Sequence, residues 1–245
     1  MSPRITLATA GRVLTQLRRD PRTVALLLAV PALLLTLMKF VFDDSPETFD
    51  RIGGPHVGLF PFNTKILVTS ITMLRERTTG TLERLMTMPL AKLDILLGYA
   101  LAFGLVGSIQ ALITSGVAFG FLGLDVAGST GAVILLAIGN AMLGMSLGLL
   151  VSAFAETEFQ AVQFMPAFVF PQLLLCGLFV ARDQMATALQ WVADALPLTY
   201  AYDALDRVTT DGSLGGRGTL DVVVLCGAIG LALALGAATL RRRTA

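Results

Sequence analysis

Six apolar stretches, each long enough to cross a lipid bilayer as a helix, constrain the fold of this chain more than any other feature. They lie at residues 23–42, 56–74, 94–122, 131–154, 161–181 and 219–240. A helical span needs about 20 mostly apolar residues, because the hydrocarbon core is about 30 Å thick. Charged residues make up 14% of the chain, against about 25% in soluble domains. We therefore predict an all-α integral membrane protein with six transmembrane helices.

Residues 1–22, ahead of the first span, carry apolar and basic side chains on different faces of a predicted helix. The apolar stripe is formed by Leu7, Ala10, Leu14 and Leu17, and the basic side consists of Arg4, Arg12 and Arg19. Such a helix lies on a membrane surface, and a solvated basic tail is the alternative. The sequence thus predicts an amphipathic cytoplasmic helix at 1–22 and a six-helix transmembrane domain at 23–245, and we expect no separate soluble domain.

The stretch between spans five and six is helical in pattern but too short to cross a membrane. A stripe with helical spacing ends at Pro197 and consists of Met185, Leu189, Val192 and Leu196. A second short helix is predicted at about 199–208, and the aromatic residues nearby favour the membrane–water boundary. We interpret this stretch as two outer re-entrant or interfacial half-helices, with a structureless loop as the alternative.

Lysine and arginine in the connecting segments predict the orientation. Twelve lie on one side, in residues 4–22, 75–92 and 241–243, and four lie on the other, at Arg51, Arg182, Arg207 and Arg217. Positive residues accumulate on the cytoplasmic side. Both termini are therefore predicted to be cytoplasmic, in a multi-pass protein of the cell membrane, which requires an even number of spans.

Two glycine pairs inside the spans, Gly116–Gly120 and Gly144–Gly148, have the spacing that lets helix backbones approach closely. The pattern does not tell whether they pack within one subunit or between two.

The predicted cytoplasmic stretch Arg75–Pro89, between spans two and three, has the pattern of a two-turn helix. Gly80 or Thr81 can cap its start, Glu83 falls in its first turn, and Pro89 stops it. Its apolar stripe consists of Leu82, Leu85 and Met86. A short helix fixed at both ends suits docking into a groove of a partner protein, and an ordinary surface helix is the alternative.

This stretch reads R-E-R-x-x-G-T-L-E-R-L followed by M-P-L, and Leu196–Tyr200 reads L-P-x-T-Y. Together with the basic N-terminus and the six predicted spans, these motifs make the chain resemble the type-2 ABC-transporter permease family over nearly its whole length. The resemblance implies that residues 1–22 are an interface helix and that Leu82–Met88 is a coupling helix that docks on an ATPase. The implied coupling residues are Arg75, Glu76, Arg77, Gly80, Thr81, Leu82, Glu83, Arg84, Leu85 and Met86.

The resemblance also implies the partners. None of the three lysines, Lys39, Lys65 and Lys92, follows a glycine, so a P-loop is absent from this sequence. A separate ABC ATPase, in two copies, is expected to bind ATP and magnesium, and this chain is expected to hold no cofactor or metal. A second permease, identical or different, is expected, and nucleic acid is not. The implied function is export of small amphipathic drugs or lipids, with cell-envelope polysaccharide or glycolipid as the alternative.

Five polar residues fall at mid-depth in the predicted spans and are candidates for a substrate path: Asn63, Lys65, Gln110, Asn140 and Gln172. Lys65 lies about ten residues from Arg75, roughly 15 Å along a helix, and an intramembrane charge is costly unless it faces protein or water. It could line a substrate path or a dimer seam, or it could snorkel or bond to Asn140; both interpretations remain open.

Other function classes fit the sequence less well. A membrane-embedded enzyme would need convergent acids or a histidine cluster, and the only histidine is His56, at the edge of a span. An ion-coupled transporter would need intramembrane carboxylates, and no acidic residue falls at mid-depth in the predicted spans. A structural scaffold would not need the predicted cytoplasmic stretch Arg75–Pro89.

Overall fold

The computed structural model describes residues 2–87 and 91–239, without the side chains of Glu83 and Met86. Pro89 and Arg241–Arg243, which entered the predictions above, lie outside the described residues. The described chain folds into α-helices with no strand among them: α1 (Pro3–Arg18), α2 (Pro21–Val41), α3 (Pro46–Thr78), α4 (Thr81–Thr87), α5 (Lys92–Gly120), α6 (Thr130–Val151), α7 (Glu158–Leu175), α8 (Thr187–Ala195), α9 (Pro197–Asp206) and α10 (Gly215–Thr239). A 3-10 turn (Arg182–Gln184) precedes α8, and a π-helical turn (Arg207–Asp211) follows α9.

Five of the described helices, α2, α3, α5, α6 and α10, are long and apolar enough to cross a membrane. They match five of the six predicted spans and confirm an all-helical chain with several membrane-crossing helices. The sixth predicted span, 161–181, overlaps α7, which has 18 residues. Three glutamines, Glu158 and two prolines lower its apolar character, so the count of six spans stays a prediction.

Helix α3 is longer than hydropathy indicates. It has 33 residues and begins at Pro46, whereas the predicted span begins at residue 56. Its first two turns carry Glu47, Asp50 and Arg51, so hydropathy does not detect this part. One continuous helix therefore runs from Pro46, ahead of the predicted start of the span, to Thr78.

The most extensive packing between two described helices is that of α3 with α6. A Cβ atom on Gly144 would lie 2.4 Å from the Phe62 carbonyl oxygen, and one on Gly148 would lie 2.7 Å from that of Ile66. The second glycine pair therefore packs within one subunit. Gly116 and Gly120 have no described atom near enough to contact such a Cβ.

The peripheral helices are α2 and α10. Only 22% of the most apolar stretch of each is buried, against 61–67% in α3, α5 and α6. Large apolar side chains such as Phe40, Val41 and Val223 are more than 60% exposed. This surface suits lipid or another subunit, because it would be unfavourable in water.

The bundle has two ends. We call the end with α1, α4, the last turn of α3 and the first turn of α5 the α4 end. The opposite end, with α8, α9, the start of α3 and the α5–α6 loop, is the α9 end. Ser2 bonds to Asp94 and Gly236 lies against Leu96, so both ends of the described chain lie at the α4 end. The arginine pattern predicts that this end is cytoplasmic.

Candidate functional site

The α3–α4 turn of the α4 end has the predicted conformation. Gly80 adopts a positive φ of 73°, which favours glycine, and its carbonyl accepts the first bond of α4 from the Arg84 amide at 3.0 Å. Thr81, whose hydroxyl lies 3.1 Å from that of Thr79, begins the helix. This confirms the predicted helix start, with Gly80 as the cap.

Two residues of the predicted α4 stripe, Leu82 and Leu85, pack against their own chain. Leu82 is 3% exposed and packs in one cluster with Val13, Met73 and Tyr99, and Leu85 packs against the same cluster. The expectation that docking on a partner buries the stripe is therefore wrong for Leu82, because this side chain is already buried among residues of α1, α3 and α5. The predicted roles of the Glu83 and Met86 side chains lie outside the described residues.

The outward face of this end is polar. Arg84 and Thr87 are exposed on α4, and Thr78 is exposed at the end of α3. Arg75 is also exposed, and its guanidinium bonds to Glu158 at the start of α7, at 2.8 and 3.0 Å. Arg77 is half-buried. Among the side chains that the structure describes here, a docking partner would meet the hydroxyls of Thr78 and Thr87 and the guanidinium of Arg84.

Glu76 is the polar centre of the α4 end. It is 8% exposed and accepts hydrogen bonds from the Tyr99 hydroxyl at 2.9 Å and from the Gln16 amide at 3.2 Å. The Arg12 guanidinium lies 3.3 Å from its carboxylate and also donates to the Tyr99 hydroxyl. A single carboxylate therefore ties α1, α3 and α5 together.

Helix α1 packs three residues of the predicted stripe, Ala10, Leu14 and Leu17, against the bundle, and its buried face extends further to Thr9 and Val13. Thr9, Ala10 and Val13 are buried, whereas Leu7 is 65% exposed. A Cβ on Gly98 would lie 2.5 Å from Thr9, so α1 approaches α5 closely where both carry small residues. Arg12, predicted on the basic surface, instead enters the Glu76 network.

The candidate path residues lie inside the subunit. Lys65, Gln110, Asn140 and Gln172 are at most 1% exposed, and Asn63 is partly buried. The Gln172 amide donates to the Phe168 carbonyl at 3.2 Å. Among the described residues, the side chains of the other four candidates each have a buried polar atom without a hydrogen-bond partner.

Two of these residues, Lys65 and Asn140, lie in the interior between α3, α5 and α6. A Cβ on Gly107 would lie 3.3 Å from the Lys65 side chain and 3.4 Å from Ala141, and one on Gly58 would lie 2.7 Å from the Asn140 amide. Lys65 and Asn140 therefore lie on facing helices with small residues between them. A buried, unpartnered ammonium is costly, so this interior suits water or a polar ligand in another conformation.

At the α9 end, the L-P-x-T-Y segment locks α8 onto α9. Pro197 begins α9, the Thr199 hydroxyl donates to the Ala193 carbonyl, and the Tyr200 hydroxyl donates to the Asp194 carbonyl, both at 2.7 Å. The structure thus gives two short helices rather than a loop.

Arg182 joins the same two helices. Its guanidinium pairs with Asp194 on α8 at 3.1 Å and with Asp203 on α9 at 2.6 Å. Burial raises the pKa of Asp203 to about 6, although Arg182 acts in the opposite direction. This network was not predictable from sequence pattern, because Asp194 and Asp203 lie 12 and 21 residues from Arg182 and belong to different helices.

Comparison of the sequence with known proteins identifies a family and several relatives. Residues 5–208 match the sequence profile of a family described as ABC-2 type transporter. The chain is 27% identical over 163 residues to ABC transporter G family member 20 of Dictyostelium discoideum, a match that covers 66% of this chain and 22% of that protein.

Two bacterial proteins are similar over comparable lengths. The probable multidrug ABC transporter permease YbhR of Escherichia coli is 27% identical over 143 residues, 58% of this chain and 39% of that protein. The linearmycin resistance permease protein LnrN of Bacillus subtilis is 26% identical over 184 residues, 75% of this chain and 46% of that protein. The chain therefore matches less than half the length of each relative.

Proposed function

This chain belongs to the ABC-2 type transporter family, and we propose that it is a permease subunit of an ATP-driven exporter whose ATPase is a separate protein. The observation that carries the proposal is α4, a seven-residue helix held between the long helices α3 and α5. Its Leu82 side chain is buried in a cluster with residues of α1, α3 and α5, while Arg84 and Thr87 are exposed. A short, anchored helix with a free polar face is suited to receive movement from a docked partner.

The polar face defines the partner surface that would fit. Arg84 on α4 and the hydroxyls of Thr78 and Thr87 favour a groove with acidic side chains and hydrogen-bond acceptors. The expected occupant is an ABC ATPase subunit, in two copies, which would bind ATP and magnesium. Movement of α4 would reach the long helices through Leu82 and through the Glu76 network, because both join α4 or its neighbouring turn to α1 and α5.

A second permease subunit, identical or different, is part of the proposal. Support comes from the apolar surface left exposed on α2, α7 and α10, where Phe40, Phe159 and Val223 are each more than 60% exposed. The candidate path residues would then line the route only after the bundle rearranges, because Lys65, Gln110 and Asn140 are buried inside one subunit here.

The proposed substrates are small amphipathic or hydrophobic compounds, drugs or lipids. Two relatives carry names that refer to multidrug transport and to linearmycin resistance. Export of a polysaccharide or glycolipid is the competing outcome. A compound panel added to the purified complex would separate them: stimulation of ATP hydrolysis by amphipathic drugs or lipids supports the proposal, and stimulation only by glycans would contradict it.

The coupling surface is tested by charge reversal at Arg84. The variant Arg84→Glu leaves the buried side of α4 intact, so the permease should insert and remain monodisperse. We expect recovery of the ATPase subunit, identified as the one that co-purifies with the wild-type permease, to fall about tenfold, a cost of about 1.4 kcal/mol. The matched control is Arg217→Glu, an exposed arginine at the α9 end. Equal ATPase recovery with both variants would place the contact elsewhere.

A further inference from the structure

A cavity of about 490 Å³ lies at the α9 end, between the start of α3, the segment after α7, and α9. Its volume is in the range of small-molecule binding sites. Gly177 has a φ of 105°, and a Cβ there would lie 3.3 Å from the Tyr202 ring. The chain therefore turns tightly at Gly177 and holds Tyr202 as part of the cavity wall.

Two opposite charges line this cavity without a described partner. They are the Arg51 guanidinium on α3 and the Asp206 carboxylate at the end of α9. Among the described residues, neither makes an ion pair within 4 Å, whereas the nearby Arg182 and Arg207 are paired with aspartates. The fold thus uses the neighbouring charges for its own contacts and leaves these two facing the cavity.

The Asp206 carboxylate has an electrostatic reason to take a cation. Burial and the neighbouring Asp211 raise its pKa, while Arg207 and Arg51 lower it. An ammonium group placed in the cavity would offset the burial of this carboxylate. The Tyr202 ring adds an aromatic surface, which attracts alkylammonium groups.

Apart from Thr210, the remaining wall is apolar, and the cavity is open to the side. Leu178 is partly buried and Phe179 is 68% exposed, and both line the cavity. A ligand with a charged head and an apolar body would place its body along this wall. A free inorganic anion would use only Arg51, and a simple cation would use only Asp206.

We propose that this cavity binds the zwitterionic head group of a phospholipid, with the phosphate at Arg51 and the ammonium at Asp206 and Tyr202. Phosphoethanolamine esters fit this pattern, because they carry one negative and one positive group a few bonds apart. An anionic head group such as phosphoglycerol would leave Asp206 without its counter-charge. The site is separate from the buried candidate path, and the proposal does not depend on which compound is exported.

The test measures lipid bound to the purified protein in detergent by native mass spectrometry, with short-chain phosphatidylethanolamine and phosphatidylglycerol as probes. The wild type should prefer phosphatidylethanolamine. Asp206→Asn should remove that preference, and Arg51→Gln should weaken both lipids, each by about tenfold, as expected for one charge-assisted contact. The matched controls are Asp125→Asn and Arg217→Gln, both exposed at the same end.

Competition with soluble glycerophosphoethanolamine separates the head group from the whole lipid. Displacement by the soluble compound means that the head group alone is recognised, and a lack of displacement with retained lipid preference means that the acyl chains are also needed; both support the site. Equal binding of the two lipids to the wild type, or unchanged binding in Arg51→Gln, would overturn it. Arg51 is exposed, so its substitution tests the site even if Asp206→Asn fails to fold. ATP hydrolysis is not measured, so the result is independent of the proposed function.

Discussion

Replacing Glu76 with glutamine should lower the free energy needed to open α1 away from the bundle by about 2 kcal/mol. The carboxylate accepts bonds from Tyr99, Gln16 and Arg12 at 2.9–3.3 Å, and hydrogen bonds to a charged group contribute about 1.5–3 kcal/mol each. Three observations reduce the total. Glutamine keeps one acceptor oxygen, two of the contacts are long, and the Arg12 side chain is 30% exposed and can bond to water.

The assay is amide hydrogen exchange of α1 in the purified protein. A loss of about 2 kcal/mol should speed exchange of the buried turn around Val13 by about 30-fold, because local opening sets the exchange rate. Tyr99→Phe should give a smaller effect, and the double variant should cost less than the sum, because both changes remove the same contact.

The matched control is Glu158→Gln. Glu158 also pairs with an arginine, but the Arg75 and Glu158 side chains are 62% and 50% exposed, so this change should cost less than about 1 kcal/mol and leave α1 unaffected. If Glu76→Gln and Glu158→Gln gave the same α1 exchange, the apolar cluster around Val13 alone would hold the helix, and the argument for Glu76 would be refuted.

Three further predictions concern the bundle. Gly148→Ala should lower thermal stability measurably, because its Cβ would meet the Ile66 carbonyl on α3, whereas Gly116→Ala, which meets nothing, should not; equal melting temperatures would contradict the close packing. Lys65→Met should preserve or raise stability, since it removes an unpartnered buried ammonium, and a large loss would mean that the lysine has a partner in the folded protein. In intact cells lacking native cysteines in this chain, an impermeant thiol reagent should label cysteine at exposed position 47 but not at exposed position 79; the reverse pattern would invert the orientation.

The sequence was sufficient for the membrane-crossing helices that are uniformly apolar. The prediction 23–42 agrees with α2 (Pro21–Val41), and 131–154 agrees with α6 (Thr130–Val151), because hydropathy reports directly on burial in lipid. Hydropathy did not predict the start of α3, because the helix continues there with polar residues ahead of the apolar stretch. The turn at Gly80 could be predicted because its conformation depends on local residues.

The contacts between helices were not predictable in the same way. Glu76 is 64 residues from Arg12 and 23 from Tyr99, so no periodicity within one element connects them. The extension of the buried face of α1 to Thr9 was not predicted, because a helical stripe records only hydrophobicity, whereas Thr9 lies against Gly98, where small side chains are required. Pairwise geometry of this kind is outside what a single sequence pattern encodes.

The glycine contacts between α6 and α3 have a mechanical consequence. At Gly144 and Gly148, one backbone touches the other with no side chain between them. Side chains between helices can change rotamer and absorb a displacement, but two backbones in contact have no such freedom. We therefore expect a displacement of α3 at the α4 end to move α6 with it, and to carry Asn140 on α6 together with Lys65 on α3.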